Sequence, residues 1–179
     1  MTKTNTAALL WTAILATSAI FGSYFFACVF PFAALATIAA LTLDRKSGIA
    51  LVGSVWGVNQ IVGFGFRDYP HTIDTIVWGV AIGIAAFAGL FAARHILRKD
   101  RNTLSLRAVG AFAGAFVAYE AVLFAWAMVA GGVETFSPSI VATIALNDAS
   151  WFAGLGVAHL ALSRAMPRLF GASAIQAAT

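Results

Sequence analysis

Two carboxylic acids set inside apolar runs are the residues best placed to do chemistry: Glu120 in Ala118-Tyr119-Glu120-Ala121 and Asp148 in Leu146-Asn147-Asp148-Ala149. An ionisable side chain at the centre of a membrane span costs about 2.5–3.5 kcal/mol on insertion scales, so each is a functional hypothesis by default. Asn59, Gln60 and Asn147 are the uncharged polar residues in comparable positions. At 1.5 Å per helical residue, Gln60 and Asn59 lie about 9–11 Å from the outer ends of their spans, Asn147 and Asp148 about 12–14 Å, and Glu120 about 16 Å. One polar layer from three helices suits a cavity open to the outside better than a pore lined end to end. No basic residue lies at that depth, so the two acids need protons or a ligand's donors. The competing structural reading is a hydrogen-bond network that pins three helices together, each bond contributing about 0.6–2 kcal/mol.

Above this layer comes Phe64-Gly65-Phe66-Arg67-Asp68-Tyr69-Pro70-His71, with Trp56 below it and Trp78 opening the next apolar run. An interfacial aromatic belt explains part of it. The concentration of Arg67, Asp68, Tyr69 and His71 in one outer loop, beside Phe64 and the close-approach glycines Gly63 and Gly65, adds a binding reading. Cys28, the single cysteine, excludes an internal disulfide and a multi-thiolate metal site. It reads first as a packing residue and otherwise as a soft ligand to the metal of an incoming cofactor, a role His71 could share. His159 reads as a satisfied interfacial histidine, and Pro31 as a kink one turn or so into the second span.

The elements that must position these residues follow from composition. Of 179 residues 61% are hydrophobic and 10% charged, with mean hydropathy +0.89, against the roughly 25% charged residues of a soluble domain. Such a chain needs lipid around it, and its length leaves room for about six or seven spans and no extramembrane domain. Apolar runs predict six helices at 6–22, 25–43, 48–66, 73–97, 106–131 and 138–163, an all-α, compact, multi-pass membrane bundle forming a single domain. Lys3, Arg45, Lys46, Arg94, Arg98, Lys99, Arg101, Arg107, Arg164 and Arg168 fall on one side of that arrangement and only Arg67 on the other. The positive-inside rule then puts both termini in the cytoplasm. Lys3 ahead of an apolar stretch also fits a signal peptide, but the run continues past Ala19 through Phe21. The net charge of +4 sits in short blocks between apolar runs, which argues against nucleic acid as a partner.

Small residues recur at helical spacing as Ala8, Thr12 and Ala16, as Gly79 and Gly83, and as Gly110 and Gly114. Such rows let helix backbones approach closely, either within the bundle or against another subunit. The chain carries no His-Glu-x-x-His, nucleophile elbow, Walker loop or paired Glu-x-x-His, so an enzyme is not expected.

Six short spans, both termini inside, a polar layer in the outer half and small residues on the first helix together resemble an S component, the substrate-binding membrane subunit of the energy-coupling-factor transporters. The resemblance is architectural and closest to the solitary cobalamin-uptake type. It implies a protein of the bacterial inner membrane that binds a vitamin or cofactor precursor, cobalamin first, from the outer face, with no intrinsic cofactor. Ala8, Thr12 and Ala16 would dock a transmembrane coupling subunit driven by ATPases, and Asn59, Gln60, Glu120, Asn147 and Asp148 would form the ligand layer. Two other classes stay open: a proton- or ion-coupled carrier using Glu120 and Asp148, and a non-transporting accessory subunit whose polar layer only pins its helices.

Overall fold

A computed structural model describes residues 9–18, 30–99 and 104–167. All the regular structure among them is helical. It comprises α1 (Leu9–Ser18), α2 (Phe32–Thr42), α3 (Arg45–Phe66), α4 (Ile73–Lys99), α5 (Leu104–Ala130) and α6 (Pro138–Ala165), with one 3-10 turn at Val133–Phe136. Helices α3 to α6 are long and apolar enough to cross a membrane, which makes this a multi-pass helical membrane protein.

The second apolar run departs from expectation. A helix over 25–43 with a kink at Pro31 was predicted; instead Phe30 and Pro31 are not helical, and α2 starts only at Phe32, while 25–29 lie outside the described residues. Pro31 has φ −80 and ψ 63, and the Phe32 N–H donates to the Phe30 carbonyl at 2.8 Å, which is an inverse γ-turn rather than a bent helix. Proline fixes its own φ and has no N–H to lose, so it starts a helix more cheaply than it interrupts one. The result is an 11-residue helix, about 16 Å long, against a hydrocarbon core of about 30 Å.

This short helix is the centre of the molecule. Phe32 through Ala39 are all buried, and α3, α4, α5 and α6 each pack against α2. A helix with no polar face is hydrophobic all round because it has neighbours all round. Ala33, Ala34, Ala36 and Ala39 are small enough to let four helices approach, and the one polar side chain among them, Thr37, returns its hydroxyl proton to the Ala33 carbonyl at 2.7 Å.

The glycine rows hold the outer helices together. Trp56 and Gln60 of α3 lie on Gly83 and Gly79 of α4, one turn apart on each helix, and the Trp56 indole N–H donates to the Gly79 carbonyl at 2.8 Å. Between α4 and α5 the approach is backbone to backbone, since a Cβ on Gly89 would stand 3.1 Å from the Ala115 carbonyl oxygen. Ile96 of α4 covers Gly114 and Gly110 of α5. Both GxxxG rows are therefore spent inside the bundle.

Polar contacts tie the helix ends at the basic side of the bundle. Asp44 caps α3, accepting from the Lys46 and Ser47 N–H groups at 2.8 and 3.0 Å and from the Ser47 hydroxyl at 2.6 Å, which is why α3 starts three residues before the predicted position. Arg94, late in α4, donates to the Leu43 and Asp44 carbonyls at 3.1 and 2.8 Å. Arg107 of α5 donates to the Leu97 carbonyl. Trp11 of α1 donates its indole N–H to the Thr42 hydroxyl at 2.9 Å and lies with its ring centroid 5.0 Å from that of His159. These contacts gather Arg45, Lys46, Arg94, Arg98, Arg107 and Arg164 at one end of the bundle, and leave Arg67, Asp68, Asp74 and Glu134 at the other.

Candidate functional site

The N-terminus of α2 sits inside the bundle, and its four leading N–H groups need acceptors there. The accounting closes with one remote residue. Phe32 donates to the Phe30 carbonyl, and Leu35 to the Pro31 carbonyl at 3.0 Å. Ala34 donates to Oδ1 of Asp148 at 2.8 Å, across 114 positions of sequence, and the Ala33 N–H adds a second contact to the same carboxyl group. The residue preceding the helix, Pro31, makes no side-chain cap of its own. Asp148, 1% exposed, therefore caps a helix of which it is not part.

The second acid converges on the same place. Glu120 lies close enough to Asp148 for their charges to interact, and Tyr119 feels both. Tyr119 in turn stacks on Phe32 at the first position of α2, ring centroids 5.9 Å apart. Glu120 is half-buried and has no hydrogen-bond partner among the described residues. Counted along α5 and α6, Glu120 and Asp148 both lie about 15 Å from the outer ends, and α2 rises about 16 Å from the basic end to meet them. Helix terminus and both acids thus share the middle of the bundle. An oriented helix end with a capping carboxylate and a second, unpartnered carboxyl group is an arrangement able to exchange a cation, a proton or a hydrogen-bond donor.

The other predicted site residues are placed elsewhere. Gln60 is taken up by the α3–α4 contact at Gly79. Asn59 is half-buried on α3, and α3 packs on α2 and α4 rather than on α5 or α6. Asn147, next to Asp148, borders a groove of about 330 Å3 along α6 lined also by Leu146, Ser150, Trp151, Gly154 and Leu155. The five-residue layer therefore divides, and only Glu120 and Asp148 come together.

At the outer end of α3, Phe64, Tyr69 and His71 form a local knot. The Tyr69 ring covers Gly63, where a Cβ would meet it at 2.7 Å. Phe64 meets Tyr69 and His71 edge-on, with centroids 6.3 and 5.5 Å away. The Arg67 N–H reaches back to the Val62 carbonyl and the Tyr69 N–H to that of Gly63, at 3.0 and 3.1 Å, through Asp68 in the left-handed region at φ 51. This knot ends α3 and turns the chain toward α4.

Cys28 and Ala8 lie outside the described residues; Thr12 and Ala16 are half-buried on α1, with Ala16 packed against the core. His159 departs from the satisfied histidine expected of it: both ring nitrogens are buried without a hydrogen-bond partner among the described residues. Among the described residues no group of three or more His, Cys, Asp or Glu side chains converges as a metal site.

Sequence reasoning missed Tyr119, Phe32 and the backbone of Ala33 and Ala34. A backbone amide carries no sequence signature, and the single available signal was Pro31, which marks a helix start as readily as a kink. Comparison with family models, curated proteins and solved structures returned no match to this chain.

Proposed function

We propose that this chain is an uptake protein of the bacterial inner membrane, with six membrane segments and both termini in the cytoplasm, that receives a small organic solute from the outer face and holds it at Glu120 and Asp148. The observation that carries this reading is the buried start of α2, capped by Asp148 beside a Glu120 that has no hydrogen-bond partner among the described residues. Helix ends set at mid-depth are a recurring way for membrane carriers to build solute and ion sites. The gathering of basic residues at one end supports the orientation, that end being cytoplasmic. The S-component resemblance makes a vitamin or cofactor precursor, cobalamin first, the solute to try, with α1 offered to a coupling subunit. Since Thr12 and Ala16 pack partly inward, the face α1 turns outward consists of Leu9, Leu10, Ala13, Ile14 and Thr17.

A second reading, a proton- or ion-coupled carrier, is favoured by one observation, the placing of both acids toward the start of α2, Asp148 on the Ala34 N–H and Glu120 next to Tyr119, which stacks on Phe32. The readings separate in one set of experiments. The purified protein is analysed by mass spectrometry for a co-purifying solute, and uptake of that solute is measured in cells and in proteoliposomes for the wild type, Glu120→Gln and Asp148→Asn. Solute at near one per chain, reduced in Glu120→Gln, supports the binding-subunit reading. Uptake that collapses with the proton gradient in proteoliposomes supports the coupled carrier. A protein that binds no solute, with acid variants that leave uptake unchanged, refutes both.

A further inference from the structure

At the end opposite the basic residues, the start of α4, the end of α5 and the 3-10 turn border an open hollow of about 460 Å3, lined by Asp74, Trp78, Ala130, Gly131, Gly132 and Thr135. Its shape depends on two consecutive left-handed glycines, Gly131 at φ 89 and Gly132 at φ 98, a conformation that L side chains rarely adopt. Gly132 also brings the backbone against Trp78, so that a Cβ there would lie 3.5 Å from Cζ2 of the indole. The Thr135 hydroxyl is committed to the Gly132 carbonyl at 2.7 Å. What the hollow offers a visitor is therefore an aromatic surface and the carboxylate of Asp74, one helical turn before Trp78. That carboxylate is exposed and has no hydrogen-bond or ion-pair partner among the described residues.

An indole beside an unpaired carboxylate suits a cation, because the ring quadrupole and the negative charge attract it together. The wider field has the same sign. At the outer end of the described bundle the acids are Asp68, Asp74 and Glu134, and the bases are Arg67 and His71, the imidazole counted as neutral at pH 7. An anion approaching from this side meets repulsion at the mouth, whereas a cation meets attraction there.

We propose that this hollow is an outer capture site for an organic cation, a quaternary or protonated amine, and that the solute received by Glu120 and Asp148 belongs to the same class. The second half of this inference rests on the uptake reading above; the first stands alone. The test uses radiolabelled tetraethylammonium and choline as probes, with an uncharged polyol of similar size as control, on the full-length protein in nanodiscs. The wild type binds both cations and not the polyol. Asp74→Asn weakens cation binding at least about tenfold, Asp74→Glu restores most of it, and Trp78→Leu weakens it about fivefold. Asp68→Asn, outside the hollow, leaves it within about twofold. Thermal unfolding of each variant separates lost binding from lost fold. A folded wild type that binds neither cation, or Asp74→Asn binding them as the wild type does, overturns the proposal. If Asp74→Asn binds normally while Glu120→Gln stops uptake, the capture site falls and the uptake reading survives. If Asp74→Asn loses binding while Glu120→Gln and Asp148→Asn transport normally, the capture site stands and the assignment of solute to Glu120 and Asp148 falls.

Discussion

Replacing Asp148 separates capping from charge. In Asp148→Ala the Ala34 N–H, buried at the start of α2, loses its acceptor at 2.8 Å, and leaving such a donor unsatisfied costs about 1–3 kcal/mol. The helix end also loses the carboxyl group's favourable interaction with its partial positive charge, a further loss of up to about 2 kcal/mol. Against this, the variant no longer desolvates a carboxylate, which recovers part of both losses. The net expectation is a destabilisation of roughly 2–4 kcal/mol for Asp148→Ala. Asp148→Leu belongs beside it, because a larger apolar side chain fills the space and still accepts nothing. Asp148→Asn keeps an acceptor oxygen in the same place and costs about 1 kcal/mol. The assay is reversible unfolding in mixed micelles with increasing SDS, followed by far-UV circular dichroism, with hydrogen exchange at the Ala33 and Ala34 amides as a local readout. Exchange at those two amides accelerates in the Ala and Leu variants and much less in the Asn variant. If all three variants unfold with the wild type, or if Asn costs as much as Leu, Asp148 is not the cap of α2.

Three further outcomes follow from the packing and the caps. A Cβ on Gly83 would stand 2.8 Å from the Trp56 indole, a rigid ring held by its own hydrogen bond, whereas one on Gly79 would meet the flexible end of Gln60. Gly83→Val therefore destabilises the α3–α4 pair by about 2 kcal/mol or more and Gly79→Ala by under about 1 kcal/mol, read by the same SDS titration. Arg94→Leu removes both hydrogen bonds that one guanidinium nitrogen makes to the α2–α3 turn and costs about 2 kcal/mol, while Arg94→Lys, whose ammonium is more strongly hydrated, recovers only part. Burial works to raise the pKa of Asp44, but the Ser47 side chain, the Ser47 and Lys46 N–H groups and the Arg94 charge outweigh it and hold the carboxyl below its ordinary value. A folded pKa below the unfolded one gives stability that is present above the ordinary carboxylate range, about pH 4, and is lost as pH falls through the lower folded value. The difference in stability between the wild type and Asp44→Asn accordingly shrinks below about pH 4 and is constant from about pH 5 to 8; a difference that grows on acidification contradicts the cap.

Apolar run length and charge blocks were enough to place α3, α4, α5 and α6, because a helix long enough to cross lipid advertises itself over more than twenty residues. The Gly79, Gly83, Gly110 and Gly114 rows were likewise readable as close-packing surfaces, and Asp44 is of the residue type that starts helices. The short central helix was not readable. Its sequence, Phe32-Ala33-Ala34-Leu35-Ala36-Thr37-Ile38-Ala39, is apolar whether it runs through a membrane or sits buried in a bundle, and hydropathy does not distinguish lipid from protein neighbours. The polar layer failed as a unit for a related reason. Depth along a helix follows from counting, but the direction a side chain faces depends on which helices are neighbours, and α2 at the centre separates Asn59 and Gln60 from Glu120 and Asp148.

The two ends of α2 give the acid pair its mechanical meaning. A helix presents partial positive charge at its N-terminus and partial negative charge at its C-terminus. Here an acid from α6 meets the first end, and a base from α4, Arg94, reaches the Leu43 carbonyl just past the second. Each clamp comes from a different long helix, so α2 cannot shift along its axis without breaking one of them, and α6 is tied to the bundle core chiefly through α2. A cation or proton that engages Asp148 competes directly with the Ala34 N–H for the same oxygen. Binding at the acid pair therefore acts on the position of α2 and, through it, of α6, whereas Arg94 at the far end has nothing to exchange with and serves as the anchor. On the uptake reading this asymmetry predicts which end moves. Solute engaging Asp148 should speed hydrogen exchange at Ala33 and Ala34 and leave the amides of Leu43 to Ser47 unchanged, and equal changes at both ends would mean that α2 is only a strut.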